Sequence, residues 1–358
     1  MTTADRTVPP ALQVPIDTEL RAPLPGAAAR ATELAAMGFD GVFSFEGPHD
    51  VFLPLALAAD SGLELMTNIA VAFPRSPVHL AHLAYDLQLL SRGRFRLGLG
   101  SQVRTHIERR YGSEWSRPAA RLREYVLAVK AVLHCWETGG PLDFRGEFTT
   151  HTLMPPVFNP GPNPYGPPRI LMAGVGPLMT RAAAEVADGY LIHPFNSDAF
   201  VRETTLPAVR RGLADGGRER PSLEVCHQFI VGAGRDEAEL AAARAGVRQM
   251  LAFYGSTPAY RPVLEAEGYG ELQPELAALV RQGRWAELPG LIDDRLLAAV
   301  GVVGTPAEVA AAITHRTGGI ADRIGFYLPY RAAPDCLAEV LDALRGGARL
   351  GSGGAASR

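Results

Sequence analysis

Lysine is almost absent from this chain: among 35 basic residues only Lys130 is a lysine, and it falls inside a helical pattern. Schiff-base chemistry of the aldolase kind needs a lysine at a strand end, so that class is excluded. Cysteine is scarce as well, with Cys135, Cys226 and Cys336 far apart and in no CxxC spacing. That argues against a disulfide framework or a zinc site and for reduced thiols in the cytoplasm. No 18-residue apolar run occurs, and the polar, proline-bearing first ten residues lack a signal-peptide core, so no membrane partner is expected. A net charge of −3 supplies no basic surface for nucleic acid. A nucleophile elbow is missing too, since Gly98-Leu99-Gly100-Ser101-Gln102 only approaches GxSxG. His79 and His82 stand three apart on a helix without the glutamate and histidine that would complete a metal site.

What is present is the grammar of an α/β enzyme. With 358 residues, 47% hydrophobic and 20% charged, the chain has the size of one large barrel or of two ordinary domains. Apolar runs predict eight strands: 12–16, 41–45, 63–71, 95–100, 169–173, 189–193, 223–231 and 323–328. Between them, Ser76-Pro77 opens a helix with Leu80, Leu83, Ala84, Leu87 and Leu90 on one face. A second helix carries Leu122, Tyr125, Val126, Val129, Val132, Leu133 and Trp136. Thr305-Pro306-Ala307-Glu308 is a capping box ahead of the last strand. Eight alternating units imply parallel strands with helical crossovers, and fit a (β/α)8 TIM barrel. We expect one such domain over 11–345, an N-terminal tail over 1–10 and a glycine-rich, fraying tail over 346–358. Two excursions, 139–168 and 254–289, are expected over the barrel mouth.

Barrel enzymes keep their reactive groups at the C-terminal ends of strands, which converts the strand positions into candidates. After the second strand stand Glu46, His49 and Asp50. Either His49 is an acid or base oriented by Asp50, or Asp50 simply caps the helix that follows. The fourth strand ends in Gly100, Ser101, Gln102, Arg104 and His106. Gly174-Val175-Gly176-Pro177, between a strand and a helix, is either a tight turn or a cradle whose amides meet a phosphate. It lacks the third glycine of GxGxxG and the lysine of a P-loop. His193 follows the sixth strand. With no evident nucleophile or metal, a barrel holding a phosphorylated cofactor is the consistent reading.

Several segments resemble the luciferase-like monooxygenase superfamily, and within it the oxidoreductases that use coenzyme F420. They are MGFDGVFSFEGPHDVFLPLALAA (37–59), TNIAVAFPRSPVHLAHLAYDLQLLSRGRFRLGLGS (67–101), WSRPAARLREYVLAVKAVL (115–133), ILMAGVGPLMTRAAAEVADGYLIHPF (170–195) and GVVGTPAEVAAAI (301–313). The resemblance implies a luciferase-like barrel, a homodimer, and a deazaflavin at the mouth, backed by a bulge with a non-prolyl cis peptide at Asn68–Ile69. It assigns the phosphate to Gly174, Val175 and Gly176 and places Gly100, Ser101 and Gln102 at the tail or ring edge; His193, just past its strand, is counted with the cofactor-binding candidates.

The chain also departs from that pattern. Many F420 enzymes carry an aspartate or a histidine-containing pair where Glu46-Gly47 stands here. The glutamate that donates a proton in the sugar-phosphate dehydrogenases falls near Val103 or Arg104, which argues against glucose 6-phosphate. The expected activity is hydride transfer between F420 and a small organic substrate, either reducing an enone or imine or oxidising an alcohol. Glu46, His106, His49 and Arg104 are the candidates for moving the proton or orienting the substrate. Arginine can polarise a carbonyl but is no base near neutral pH, so Glu46 and His106 rank first. The alternatives are an FMN-dependent monooxygenase and a barrel that binds a ligand without turnover.

Overall fold

A computed structural model describes residues 11–346; the expectations for the two tails lie outside that range, save at Gly346. Eight parallel strands close on themselves: β1 (Ile16–Glu19), β2 (Gly41–Ser44), β3 (Glu64–Thr67), β4 (Phe95–Gly100), β5 (Arg169–Gly174), β6 (Gly189–Ile192), β7 (Glu224–Ala233) and β8 (Arg323–Tyr327). Each pairs with the next in chain order, and β8 pairs with β1 through Ile16 opposite Ile324. The closed (β/α)8 barrel is therefore as the strand count implied.

The first strand is a correction. The apolar run 12–16 suggested its position, whereas the ladder begins at Ile16 and includes Asp17 and Glu19. Residues 12–15 are the lead-in, tied down by Leu12 N–H to the carbonyl of Leu344 and by the Pro15 carbonyl to Ile324. Hydropathy missed the strand because its inward side chains are charged, and burial of Asp17 is made tolerable by pairing with Arg323.

The third strand also differs from a single run over 63–71. From Met66 opposite Arg96 the chain advances four residues before Ala70 meets Leu99, three along on β4, so β3 carries a one-residue bulge. The glycine spacing of FRLGLG is its counterpart. A Cβ at Gly98 would stand 2.0 Å from the Thr67 carbonyl oxygen, and one at Gly100 would stand 2.8 Å from the Ile69 side chain.

The helices begin where their signals stand. Ser76 Oγ accepts from Val78 N–H at the start of Pro77–Leu90, and the capping box of Thr305 and Glu308 opens Pro306–Thr317. In Pro77–Leu90 the buried face is narrower than the leucine spacing suggested: Leu80, Ala84 and Leu87 are buried, while Leu83 and Leu90 face solvent. Excursion 139–168 is a second correction. It follows a helix rather than a strand, and packs outside the barrel through Met154 on Trp136 and Asn163 on Tyr85, while Phe148, Thr149 and His151 line a cavity with Phe73 and Arg75 just beyond the bulge. Residues 254–289 do belong to the large insertion after β7, whose Tyr254 and Tyr260 reach the end of β6. That insertion returns as a short strand, Val302–Gly304, which adds to the upper end of β7 and had no sequence signal strong enough to separate it from the helix behind it.

Candidate active site

Side chains alternate inward and outward along a strand, so every second residue of each barrel strand faces the interior. In the lower layer Arg323 bonds to Asp17, Glu64 and Glu224, while Arg96 bonds to Glu64 and Glu224 and Arg169 meets Glu224. At the upper end the inward positions are Glu19, Phe45, Asn68, Gly100, Val175, His193, Gln228 and Tyr327. The register of Glu19 with Phe43, the ring contact between Phe43 and Tyr327 and the Asn68–Gln228 pair fix that orientation for β1, β2, β3, β7 and β8.

The peptide joining Asn68 to Ile69 is cis, as the resemblance implied. Three neighbours hold the bulge. The Asn68 amide donates to Gln228 Oε1 (2.6 Å) and accepts from Gln228 Nε2 (3.1 Å), while Tyr327 donates its hydroxyl to the Asn68 carbonyl (3.2 Å). Glu46 backs the far side. Its carboxylate accepts from Val71 N–H (2.8 Å), Arg75 Nη1 (2.7 Å) and the Tyr111 hydroxyl (3.1 Å), and its own N–H meets the Ile69 carbonyl. With three donors on one carboxylate, this geometry suits a brace better than a proton relay.

The other proton candidates are not drawn together. Asp50 Oδ1 accepts from Phe52 and Leu53 N–H, which ties it to the turn leading into helix Leu53–Leu57, and His49 beside it is exposed. Arg104 and His106 lie on a short helix, Arg104–Arg109, where a strand-end loop was expected. Both are exposed; Arg104 pairs with Glu108 on the same helix, and among the described residues no hydrogen bond fixes the His49 or His106 ring. Gln102 turns the chain off β4 with φ of +59°, and Ser101 bonds to its carbonyl.

At the end of β5 the GVGP turn leads into helix Pro177–Val186, whose cap residue, Gly176, offers no side chain to the first amides. Those donors, Leu178 and Met179 N–H, carry the partial positive charge of a helix N-terminus. A Cβ at Gly176 would meet nothing within 4 Å, whereas one at Gly174 would strike Met179 at 2.5 Å. The open side of this cradle is therefore at Gly176. The phosphate of a deazaflavin or flavin fits it, and the ring would lie against the Asn68–Ile69 bulge.

His193 sits in an aromatic nest, its ring 4.5 Å from that of Tyr260 and 4.9 Å from that of Tyr254. Nδ1 accepts from Phe195 N–H (3.1 Å), so the proton of the neutral ring belongs to Nε2. Burial holds its pKa down to about 3. Tyr260 is pushed up to about 12 by the same desolvation, and Tyr254 and Tyr327 also move upward. These groups are neutral donors across the working range.

One residue of this end escaped the sequence reading. Glu19, at the end of β1, has a side chain only 8% exposed, and its partner is the exposed Arg21 at 3.2 Å. Burial raises its pKa, with Arg21 opposing. On β1 it stands in register with Phe43 of β2, whose ring meets Tyr327, which places it on the same space. A signal existed: Ile16, Thr18 and Leu20 alternate with Asp17, Glu19 and Arg21, a period of two without high hydropathy. Among the described residues no three His, Cys, Asp or Glu side chains converge on a metal-sized site, and no helix is long and apolar enough to cross a membrane.

Residues 7–323 match the luciferase-like monooxygenase family. The chain belongs to that family. It is 47% identical over 339 residues to an uncharacterized protein of Mycobacterium tuberculosis, covering 94% of this chain and 99% of the relative. A candidate coenzyme F420-dependent oxidoreductase of the same organism is 31% identical, over 75% of this chain and 80% of its own length. Two solved structures share the fold. The F420-dependent tetrahydromethanopterin reductase of Methanopyrus kandleri superposes with a TM-score of 0.76 at 19% identity, covering 94% of this chain and 98% of its own. An FMN-bound type II Baeyer-Villiger monooxygenase of Pseudomonas putida gives 0.62 at 14% identity, covering 93% and 98%. The family is thus one of enzymes, with F420-dependent and FMN-binding members among the similar proteins.

Proposed function

We propose that this luciferase-like protein is an F420-dependent oxidoreductase that interconverts a small carbonyl compound and its reduced form, with Glu19 moving the proton. The observation that carries this is the buried carboxylate at the end of β1, on the side of the mouth where the bulge would back the cofactor ring. When bound, the deazaflavin supplies or accepts the hydride. Gly174, Val175 and Gly176 would hold its phosphate, and Asn68, Ile69 and Gly100 would back its ring. Gln228 and Tyr327 keep Asn68 in place.

In the reducing direction the substrate carbon gains a hydride and its oxygen gains one proton. Glu19, with its pKa raised, supplies that proton and recovers another from water at the Arg21 rim; oxidation runs the same steps backwards. Nε2–H of His193 and the hydroxyls of Tyr254 and Tyr260 are available to hold the substrate oxygen, since neutral donors aimed at a developing oxyanion lower its energy. A homodimer belongs to the same proposal, supported by the exposed Leu53, Leu57, Leu83 and Leu90 on two helices that touch. Light scattering tests it.

Equilibrium titration with F420 and with FMN tests the cofactor. Tighter F420 binding is the expected result; preference for FMN together with oxygen consumption would replace this reading by a monooxygenase. Binding without turnover of any carbonyl or alcohol would leave a ligand-binding barrel. Gly176→Val is the cleaner probe of the cradle, because its side chain enters open space without disturbing Met179. It should weaken cofactor binding at least tenfold and leave the melting temperature unchanged.

A further inference from the structure

Eight strand ends surround the space above the bulge, and their inward residues are Glu19, Phe45, Asn68, Gly100, Val175, His193, Gln228 and Tyr327. Neither lysine nor arginine is among them. Among these eight only Glu19 is charged, with a side chain 8% exposed, while its partner Arg21 is 55% exposed and also bonded to the Leu328 carbonyl at the rim. Arg75 is turned to Glu46 and the Val71 carbonyl behind the bulge, and Arg110 to the Gly47 carbonyl. The roof is aromatic, with Tyr254 and Tyr260 over His193 and Phe195.

Polar capacity in this space is lopsided. Donors remain on His193 Nε2, Tyr254 and Tyr260, whose hydroxyls have no hydrogen-bond partner among the described residues. They suit a neutral carbonyl oxygen with two lone pairs. A carboxylate or phosphate would exchange its water for neutral donors and a neighbouring carboxylate, with no buried cation in return.

We propose that this site, taken as the substrate pocket of the function above, selects an uncharged ketone, enone or alcohol with an apolar or aromatic body and rejects its carboxylate or phosphate counterparts. Selectivity then rests on the absence of a cation rather than on any single contact. Phe45, Ile69 and the two roof tyrosines supply the apolar walls, and the donors fix the oxygen.

The test uses matched ligands, cyclohexanone against 4-oxocyclohexanecarboxylate and 4-phenylbut-3-en-2-one against its para-carboxylate. Binding is followed by calorimetry at pH 7.5 on the full chain, with and without F420. The neutral member of each pair should bind at least tenfold more tightly. Glu19→Lys should shrink or reverse that ratio, and Tyr260→Phe, a milder change that keeps the fold if Glu19→Lys does not, should weaken the neutral ligands while leaving the carboxylates weak. Equal or tighter binding of the carboxylates to the wild-type protein overturns the proposal, as does failure of all four to bind at millimolar concentration. Neutral ligands that bind with the expected preference to a protein that ignores F420 would instead remove the cofactor assignment and leave the pocket's selectivity standing.

Discussion

At the lower end of the barrel six charged side chains neutralise one another, whereas at the upper end, where Glu46 is matched by Arg75, the buried Glu19 has only an exposed arginine beside it. Both ends are made by the same alternation of inward residues on the same eight strands. The lower layer pairs every acid with a buried or half-buried guanidinium, so its charge is spent on closing the barrel. At the upper end Glu19 has only the rim residue Arg21 as its partner, and under the proposed function that difference is what leaves a proton to move. Family barrels carry function at that end, and the distribution of unmatched charge alone would have pointed there.

Replacing the centre of the lower network should give the largest effect. Arg323→Met strands Asp17 and leaves Glu64 and Glu224 to Arg96 and Arg169, and a loss of about 3–5 kcal/mol is expected for breaking a buried ion pair. Chemical denaturation measures it, and a loss under about 1 kcal/mol would mean the layer does not act as one unit. At the other end, Glu19→Gln should lower turnover about 100-fold, the scale of a missing general acid, with F420 affinity within threefold of wild type. Normal turnover would hand the proton to another group and erase the functional half of the contrast.

Acid titration separates the ends by sign. His193 and the fully buried His227 are each held down to about 3 by burial. Their folded pKa lies below the unfolded one, so the native state loses stability as pH falls from about 6.5 towards 3. Each costs about 1.4 kcal/mol per pH unit in that window. Asp17 is raised to about 6, chiefly by burial and against the pull of Arg323. Its contribution is fully present below about pH 3.8 and is lost as pH rises through 6, so it opposes the histidines. Denaturation midpoints between pH 6.5 and 4.5 should fall more steeply in Asp17→Asn and less steeply in His227→Asn. Parallel slopes in all three proteins would refute the assignment. Smallest of all, His106→Ala should keep turnover within threefold, since its ring stands on the solvent side of helix Arg104–Arg109.

Much of the architecture was legible because repeated apolar runs and capping signals are local. FRLGLG occupies the strand expected of it, and the helix starts at Ser76 and Thr305 are where their side chains put them. The site was legible in part, through segments whose spacing matches a family: the cis bond at Asn68–Ile69 stands at its expected position. Candidates chosen for being polar and near a strand end fared differently. Glu46 became a brace and Asp50 a tie in the turn before a helix, while Arg104 and His106 point to water, because proximity along the chain says nothing about which way a side chain faces.

By itself the sequence determined the eight-unit barrel and the glycines that let β4 pass the bulge, since each depends on residue type and short-range pattern. Only the tertiary structure decided that Glu19 is buried without a buried cation while Asp17, two residues earlier, is matched by Arg323. Desolvation and pairing are set by residues more than 300 positions away, and no local pattern encodes them.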